Sequence, residues 1–351
     1  MIFIFLFSIL VSFSITFILT PFVRQFFVSR GWIEDPVTKQ KKTQNATALT
    51  AVPRGGGLPV FIGVITTTLI FLPLDKHFIG IIIAAFVTLL VGLWDDIKDI
   101  SPKLRLFTNL IAAIIVVGFG IGIAYISNPF GGIIDLSFLK YNFEFFGPHS
   151  IWLLSDLLAI IWIIWCMNIT GWSAGVEGQL PGFVAISAIF IGLLGLRFSQ
   201  DLSQGPVIIF SAAVAGAYLG FLPFNFSPQS IMPGYSGKSL AGFFLAVLAI
   251  LSGAKLATII LLLGVPMIDA TYVLFRRIRY RKPLLKSDGQ HLHHLLLKLG
   301  WSRSKIAMFY WLISLVLGTI SLFLNSQQKF IVFICLCIFF VVFIKGVSQR
   351  I

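Results

Sequence analysis

Acidic residues are scarce in this chain: 13 Asp and Glu stand against 26 Lys and Arg in 351 residues, and only 11% of positions are charged. With 58% of residues hydrophobic, there is too little polar surface to wrap a water-soluble core. A soluble globular fold is excluded, and the bilayer is the main solvent. Cysteine is nearly absent. Cys166, Cys335 and Cys337 lie inside or at the end of apolar runs without metal-ligand spacing, so neither a disulfide framework nor a thiolate metal centre is expected, and packing remains. Low-complexity tracts, a soluble domain and clear internal repeats are also missing. The segment 1–20 has no basic n-region and no small-residue cleavage site before Pro21, so it reads as a retained first helix rather than a signal peptide.

Long apolar runs are what the chain does have. Runs able to cross about 30 Å of hydrocarbon as helices lie near 1–23, 57–74, 77–94, 104–126, 150–168, 180–197, 206–223, 239–253, 254–275, 306–325 and 329–346. The expected architecture is an all-α polytopic bundle of eleven transmembrane helices, or ten if the short run at 239–253 does not cross, forming one domain over 1–351. The segment 127–149 mixes Gly, Asn and Pro with the alternating aromatics Tyr141, Phe143 and Phe145, which suits a short hairpin at the membrane interface.

Charge supports the layout. With the N-terminus outside, the inner loops and tail hold 21 of the 26 basic residues, and the outer side keeps only Lys76, Lys140, Arg197, Lys255 and Lys329. That asymmetry follows the positive-inside rule for a multi-pass plasma-membrane protein. The net charge of +13 is thereby mostly cytoplasmic, where it attracts anionic lipid headgroups or nucleotide sugars. Nucleic acid is not among the expected partners.

Four polar segments end on this inner face: Asp95/Asp96, 168–182, 223–242 and 276–294. Charge at membrane depth is costly, which singles out the paired carboxylates in Gly92-Leu93-Trp94-Asp95-Asp96. Adjacent residues on a helix point in different directions, so Asp95 and Asp96 do not form a matched acid/base pair; one is free to bind Mg²⁺ while the other works elsewhere. His291, His293 and His294 follow Asp288 closely, but no Cys or second cluster completes a zinc site. Imidazoles that donate to diphosphate oxygens are the better fit. Asp269 is a carboxylate within an apolar run, a functional or ion-paired position by default. Arg54-Gly55-Gly56-Gly57 forms either an anion nest or a plain flexible loop.

Thr20-Pro21, Asp35-Pro36, Pro53 to Gly57, Gly92 to Asp96 with Ser101-Pro102, Val265-Pro266 with Asp269, and Asp288 to His294 occur in this order along nearly the whole chain. Together they resemble the polyprenyl-phosphate N-acetylhexosamine-1-phosphate transferases of glycosyltransferase family 4, which include peptidoglycan translocase I. An eleven-helix count looks closer to the N-acetylglucosamine-1-phosphate branch than to the ten-helix muramoyl-pentapeptide branch. The resemblance implies transfer of a sugar-1-phosphate from a UDP-sugar to undecaprenyl phosphate, with release of UMP and a need for Mg²⁺. It implies that Asp95 deprotonates or orients the lipid phosphate, that Asp96 sits near the metal, and that the histidines hold the donor diphosphate. Arg105 stands where a lysine is usual, and a homodimer or an active paralogue is the implied protein partner.

The chain departs from the family pattern at two loops. The Asn-rich Asp-Gly-x-Asp-Gly loop appears as 168–178, where Asn168 is kept, Gly171 replaces an asparagine, and Ala174 and Glu177 replace aspartates. The Gly-Asp-x-Gly motif, whose aspartate is the family's principal metal ligand, appears as Gly234-Tyr235-Ser236-Gly237. Tyrosine is neutral near pH 7 and a poor Mg²⁺ ligand. Three readings follow: a transferase whose metal is rebuilt from Asp96, Glu177 and substrate phosphates; an inactive paralogue that binds polyprenyl phosphate or scaffolds an active enzyme; and a transporter, which Asp269 and 31 glycines would fit.

Overall fold

The computed structural model describes residues 1–36, 50–144, 148–201, 203–253, 256–283 and 289–349. Asp288, Phe145 and Lys255 lie outside the described residues. Along the chain the elements are α1 (Ile2–Ser29), β1 (Ile33–Glu34), β2 (Val52–Pro53), α2 (Gly57–Phe71), α3 (Lys76–Lys98) and α4 (Pro102–Gly118). Strands β3 (Tyr125–Ser127), β4 (Ile133–Asp135), β5 (Lys140–Glu144) and β6 (Pro148–Trp152) follow. Then come α5 (Leu153–Trp172), α6 (Gln179–Arg197), α7 (Gln204–Asn225), α8 (Gly234–Leu251), α9 (Leu256–Leu262), α10 (Gly264–Arg279), α11 (Leu292–Lys298), α12 (Arg303–Phe323) and α13 (Ser326–Gln349). The protein is an all-α polytopic membrane protein.

Every apolar run contains a helix, but the count of eleven spans is too high. Among the described residues eight helices are long and apolar enough to cross a membrane, or nine if α9 and α10 count as one span. At about 1.5 Å per residue, the 15 residues of α2 and the 17 of α4 fall short of the bilayer core. The run at 254–275 is not one span either, because α9 and α10 meet at a bend of 77°. Pro266 lies in the first turn of α10, where its missing N–H belongs to no intrahelical bond, so a helix can start there but not run through. Where one interfacial hairpin was expected, the segment forms two antiparallel pairs, β3 with β4 and β5 with β6.

Helices α6, α7 and α8 are apolar around their whole circumference and buried along nearly their whole length, so they form the centre of the bundle. α1 and α2 pack on α7, α3 and α5 on α8, and α12 on α6. Lipid tails are as apolar as leucine, so close backbone approach replaces hydrophobic drive between such helices. At the α1–α7 contact Ser12 Oγ donates to Ala213 O at 2.6 Å, and a Cβ on Gly216 or Gly220 would strike the carbonyl oxygens of Ile9 or Phe13.

Local capping fixes the turn that carries the paired carboxylates. α3 starts at Asp75, whose side chain accepts the Phe78 N–H at 2.7 Å, and stops at Asp99 in the left-handed conformation, φ 53°. Ser101 caps α4 and Pro102 occupies its first turn. Asp95 and Asp96 therefore sit in the last turns of α3, beside a tight α3–α4 corner.

Candidate functional site

The two neighbouring carboxylates have separate partners. Asp95 is fully buried; its Oδ1 accepts Arg105 Nε at 2.6 Å and the Ile100 N–H at 3.1 Å, and its Oδ2 faces Arg54 Nη2 at 3.4 Å. Asp96 caps the N-terminus of α8. It accepts the Tyr235 and Ser236 N–H groups at 2.5 and 3.3 Å and the Ser236 hydroxyl at 2.5 Å. A carboxylate is favoured there because the first N–H groups of a helix lack intrahelical acceptors and carry a partial positive charge. Gly234 makes the approach feasible: its φ is +66°, and a Cβ would collide with Asp96 and with Arg54 O.

Arg54 and Arg105 bracket this turn. Arg54 reaches Glu34 at 3.2 Å, Asp96 at 3.7 Å and Asp99 at 3.8 Å besides Asp95, while Arg105 also holds Asp99 at 2.8 Å. Burial alone would lower the pKa of the Arg54 guanidinium, but Asp96, Glu34, Asp95 and Asp99 together raise it above its ordinary value, so it stays charged. Residue Arg54 is placed by β2, which pairs with β1 and brings Glu34 alongside. Arg105 lies over the Tyr235 ring, 5.1 Å from its centroid, and the Tyr235 hydroxyl donates to Asn109 Oδ1 at 3.1 Å.

A second group gathers around the histidines. Asp269 Oδ2 lies 2.9 Å from His291 Nδ1, and Asp269 Oδ1 accepts the Leu292 N–H at 2.8 Å. The intramembrane carboxylate thus anchors the start of α11, and the Trp172 ring stacks on His291 with centroids 6.4 Å apart. His293 is buried against Gly175, where a Cβ would collide with its ring, and among the described residues its Nδ1 has no hydrogen-bond partner. Burial, reinforced by His294, His291 and Lys238, holds His293 well below its ordinary pKa of 6.5, so it is neutral at pH 7 rather than a cation facing phosphate. Lys238 stands one turn along α8 from Tyr235, which ties the two groups to the same end of the bundle.

The consequence for stability has a definite sign. His293 takes up its proton in the unfolded chain near pH 6.5 but not in the fold, so its contribution is complete above pH 6.5 and is lost as pH falls below it. Melting curves between pH 7.5 and 5 should show stability dropping by up to about 1.4 kcal/mol per pH unit from this group. His293→Gln should flatten that slope, and an unchanged slope would show that other groups cause it.

Asn168 and Tyr235, expected in loops, lie in helices. Asn168 is in the last turns of α5, with its Nδ2 donating to Ile164 O at 2.8 Å, and Tyr235 is in the first turn of α8. Glu177 lies in the α5–α6 connection, buried, with Oε1 3.9 Å from Arg303 Nε and, among the described residues, no hydrogen-bond partner at Oε2. The partners that sequence reasoning missed are Glu34, Asp99, Asn109 and Ser236. Asn109 had a visible signal as a lone amide in an apolar run; the others had none.

Mg²⁺ takes near-octahedral oxygen coordination, with one or two carboxylates beside substrate phosphates. Among the described residues no three of His, Cys, Asp and Glu are grouped to hold a metal. Both carboxylates of the pair are already satisfied by guanidinium groups and backbone amides, and Tyr235 offers a phenol that is itself bonded to Asn109. The residues present do not fit Mg²⁺, and the cations at this turn are Arg54 and Arg105, set against Glu34, Asp95, Asp96 and Asp99.

Residues 78–253 match the family model described as Glycosyl transferase family 4. The chain is 28% identical over 340 residues to the probable undecaprenyl-phosphate N-acetylglucosaminyl 1-phosphate transferase of Bacillus subtilis (strain 168), covering 93% of this chain and 88% of that protein. It is 27% identical over 342 residues to the decaprenyl-phosphate N-acetylglucosaminephosphotransferase of Mycolicibacterium smegmatis, covering 88% and 79%. The phospho-N-acetylmuramoyl-pentapeptide-transferase of Bacillus subtilis (strain 168) is 27% identical over 339 residues, covering 91% and 97%. With half of its length matched by the family model, this chain belongs to glycosyl transferase family 4.

Proposed function

We propose that this protein transfers an N-acetylhexosamine-1-phosphate from a UDP-sugar to a polyprenyl phosphate, an initiating step of cell-wall or surface-polysaccharide synthesis. The observation that carries the reading is the gathering of Arg54, Arg105, Lys238 and the Asp269–His291 pair at one end of an apolar bundle. Such an end suits an anionic headgroup whose tail stays in lipid.

A phosphate oxygen of the lipid attacks the sugar-bearing phosphorus of the donor. The bond from that phosphorus to the bridging oxygen breaks, UMP leaves with the electron pair, and a lipid diphosphate sugar remains. Phosphoryl transfer needs mostly positioning and charge neutralisation, and preorganised donors supply both. Arg54 and Arg105 offer the phosphates the N–H groups not taken by Glu34, Asp95, Asp96 and Asp99, and Asp95 holds the two guanidinium groups in place. Asp96 fixes the α8 terminus against α3. The imidazole of His291 is oriented by Asp269 through Nδ1 and, in its protonated form, donates to a donor phosphate through its other nitrogen, and Asn168 and Glu177 border the same end. The basic residues gathered at this end, Arg54, Arg105, Lys238 and the run from Arg276 to Lys282, support a cytoplasmic position for it.

The test is UMP release by the full chain in detergent with undecaprenyl phosphate and a panel of UDP-sugars, with and without Mg²⁺. Release that requires both lipid and donor is expected. Lipid binding without UDP-sugar binding or UMP release would instead make the protein a lipid-binding scaffold.

A further inference from the structure

The bundle end opposite the carboxylates holds a charge that nothing in the transfer reaction uses. α3 ends at Asp95 and Asp96, so α4 returns the chain to the far end, where β3 begins. α12 starts with Arg303 beside Glu177, so α13 also begins at that far end. There a cavity of about 320 Å³ opens between α5, α9, α13 and the β3 segment. Its wall is apolar, built by Leu158, Trp162, Ile260, Phe330 and Phe333, with Lys329 among them.

Lys329 is 8% exposed. Its ammonium donates to Thr258 Oγ1 at 2.9 Å, and among the described residues it forms no ion pair. Arg197, at the end of α6, adds a second positive field to the same corner and donates to the Leu322 carbonyl rather than to an acid. Lysines at membrane borders ordinarily extend to water and leave only the stem in apolar surroundings. Here the headgroup itself is buried beside an apolar cavity, where an unpaired charge is costly. The missing partner is an anion.

The lining defines what kind of anion. A small soluble anion would need several convergent polar donors, and this cavity offers one ammonium against an almost wholly apolar wall. The complement is an amphiphile: a negative headgroup for Lys329 and a hydrocarbon chain for the wall. We propose that this cavity is a binding site for an anionic phospholipid, whose phosphate pairs with Lys329 and whose acyl chain lies along α5, α9 and α13.

Native mass spectrometry of the full chain, titrated with phosphatidylglycerol and phosphatidylcholine, tests this independently of transferase activity. One phosphatidylglycerol should bind about tenfold more tightly than phosphatidylcholine, as a charge-assisted hydrogen bond allows. Lys329→Met should abolish the preference with an unchanged or raised melting temperature, and Lys329→Arg should keep it. Ala257→Phe fills the cavity while leaving the ammonium in place, and should weaken phosphatidylglycerol binding by a similar factor. Equal affinity for the two lipids in the parent, or a preference that survives Lys329→Met, overturns the proposal. So does a polyprenyl phosphate that occupies the site more tightly than phosphatidylglycerol.

Discussion

Asp95→Asn is expected to lower UMP release by roughly 10³-fold, comparable with losing a preorganised charge-stabilising group from an active site. The carboxylate serves two guanidinium groups and one amide at once. An asparagine keeps the shape but has one acceptor oxygen and no charge, so Arg105 and Arg54 lose their common anchor and the phosphates lose a fixed positive field. Arg54 would still be paired by Glu34, Asp96 and Asp99, so the fold should survive with a modest fall in melting temperature. The decisive readout is kcat at saturating donor and lipid, since a merely structural change would fall on stability. A kcat within threefold of the parent would remove Asp95 from the reaction. Arg105→Lys, which keeps the positive charge, should cost far less than Arg105→Met.

Tyr235→Asp carries the second large effect, on metal binding. In the parent, Tyr235 lies under Arg105 and its hydroxyl is engaged by Asn109, while its backbone N–H is held by Asp96. An aspartate at this position, with Asn109 and Asp96 beside it, provides the hard oxygen donors that Mg²⁺ and Mn²⁺ prefer. Manganese binding followed by electron paramagnetic resonance should be weak in the parent and about 100-fold tighter in Tyr235→Asp, a gain of about 2.8 kcal/mol. Adding Ala174→Asp should tighten it further. Tight binding by the parent would show that the arginines yield to a metal when it is offered. Activity measured on the same variants separates the two outcomes for catalysis: a parent without UMP release and a doubly substituted chain with it would identify an inactive lipid-binding paralogue.

Much of the architecture was legible because hydrophobic length is a local sum. Each apolar run contains a helix; the sequence reading did not mark Ser101-Pro102 or Val265-Pro266 as helix starts, yet Ser101 caps α4 and Pro266 lies in the first turn of α10. The failures share a cause. The apolar runs 57–74 and 104–126 looked like full spans because hydropathy does not register where a helix stops, at Phe71 for α2 and at Gly118 for α4, nor that α9 and α10 meet at a bend of 77°. Asn168 looked like a loop residue because helix ends in apolar sequence carry no composition signal.

What the sequence determined by itself is the solvent of this protein, the helical character of its runs, and the collection of carboxylates, arginines and histidines between them. Only the tertiary structure decided their chemistry. Asp96 meets α8 across 139 residues and Asp95 meets Arg54 across 41. A buried carboxylate becomes a helix cap or an anchor for cations according to which donors arrive within about 3 Å. Those donors come from distant segments, and no local pattern of residues specifies their arrival.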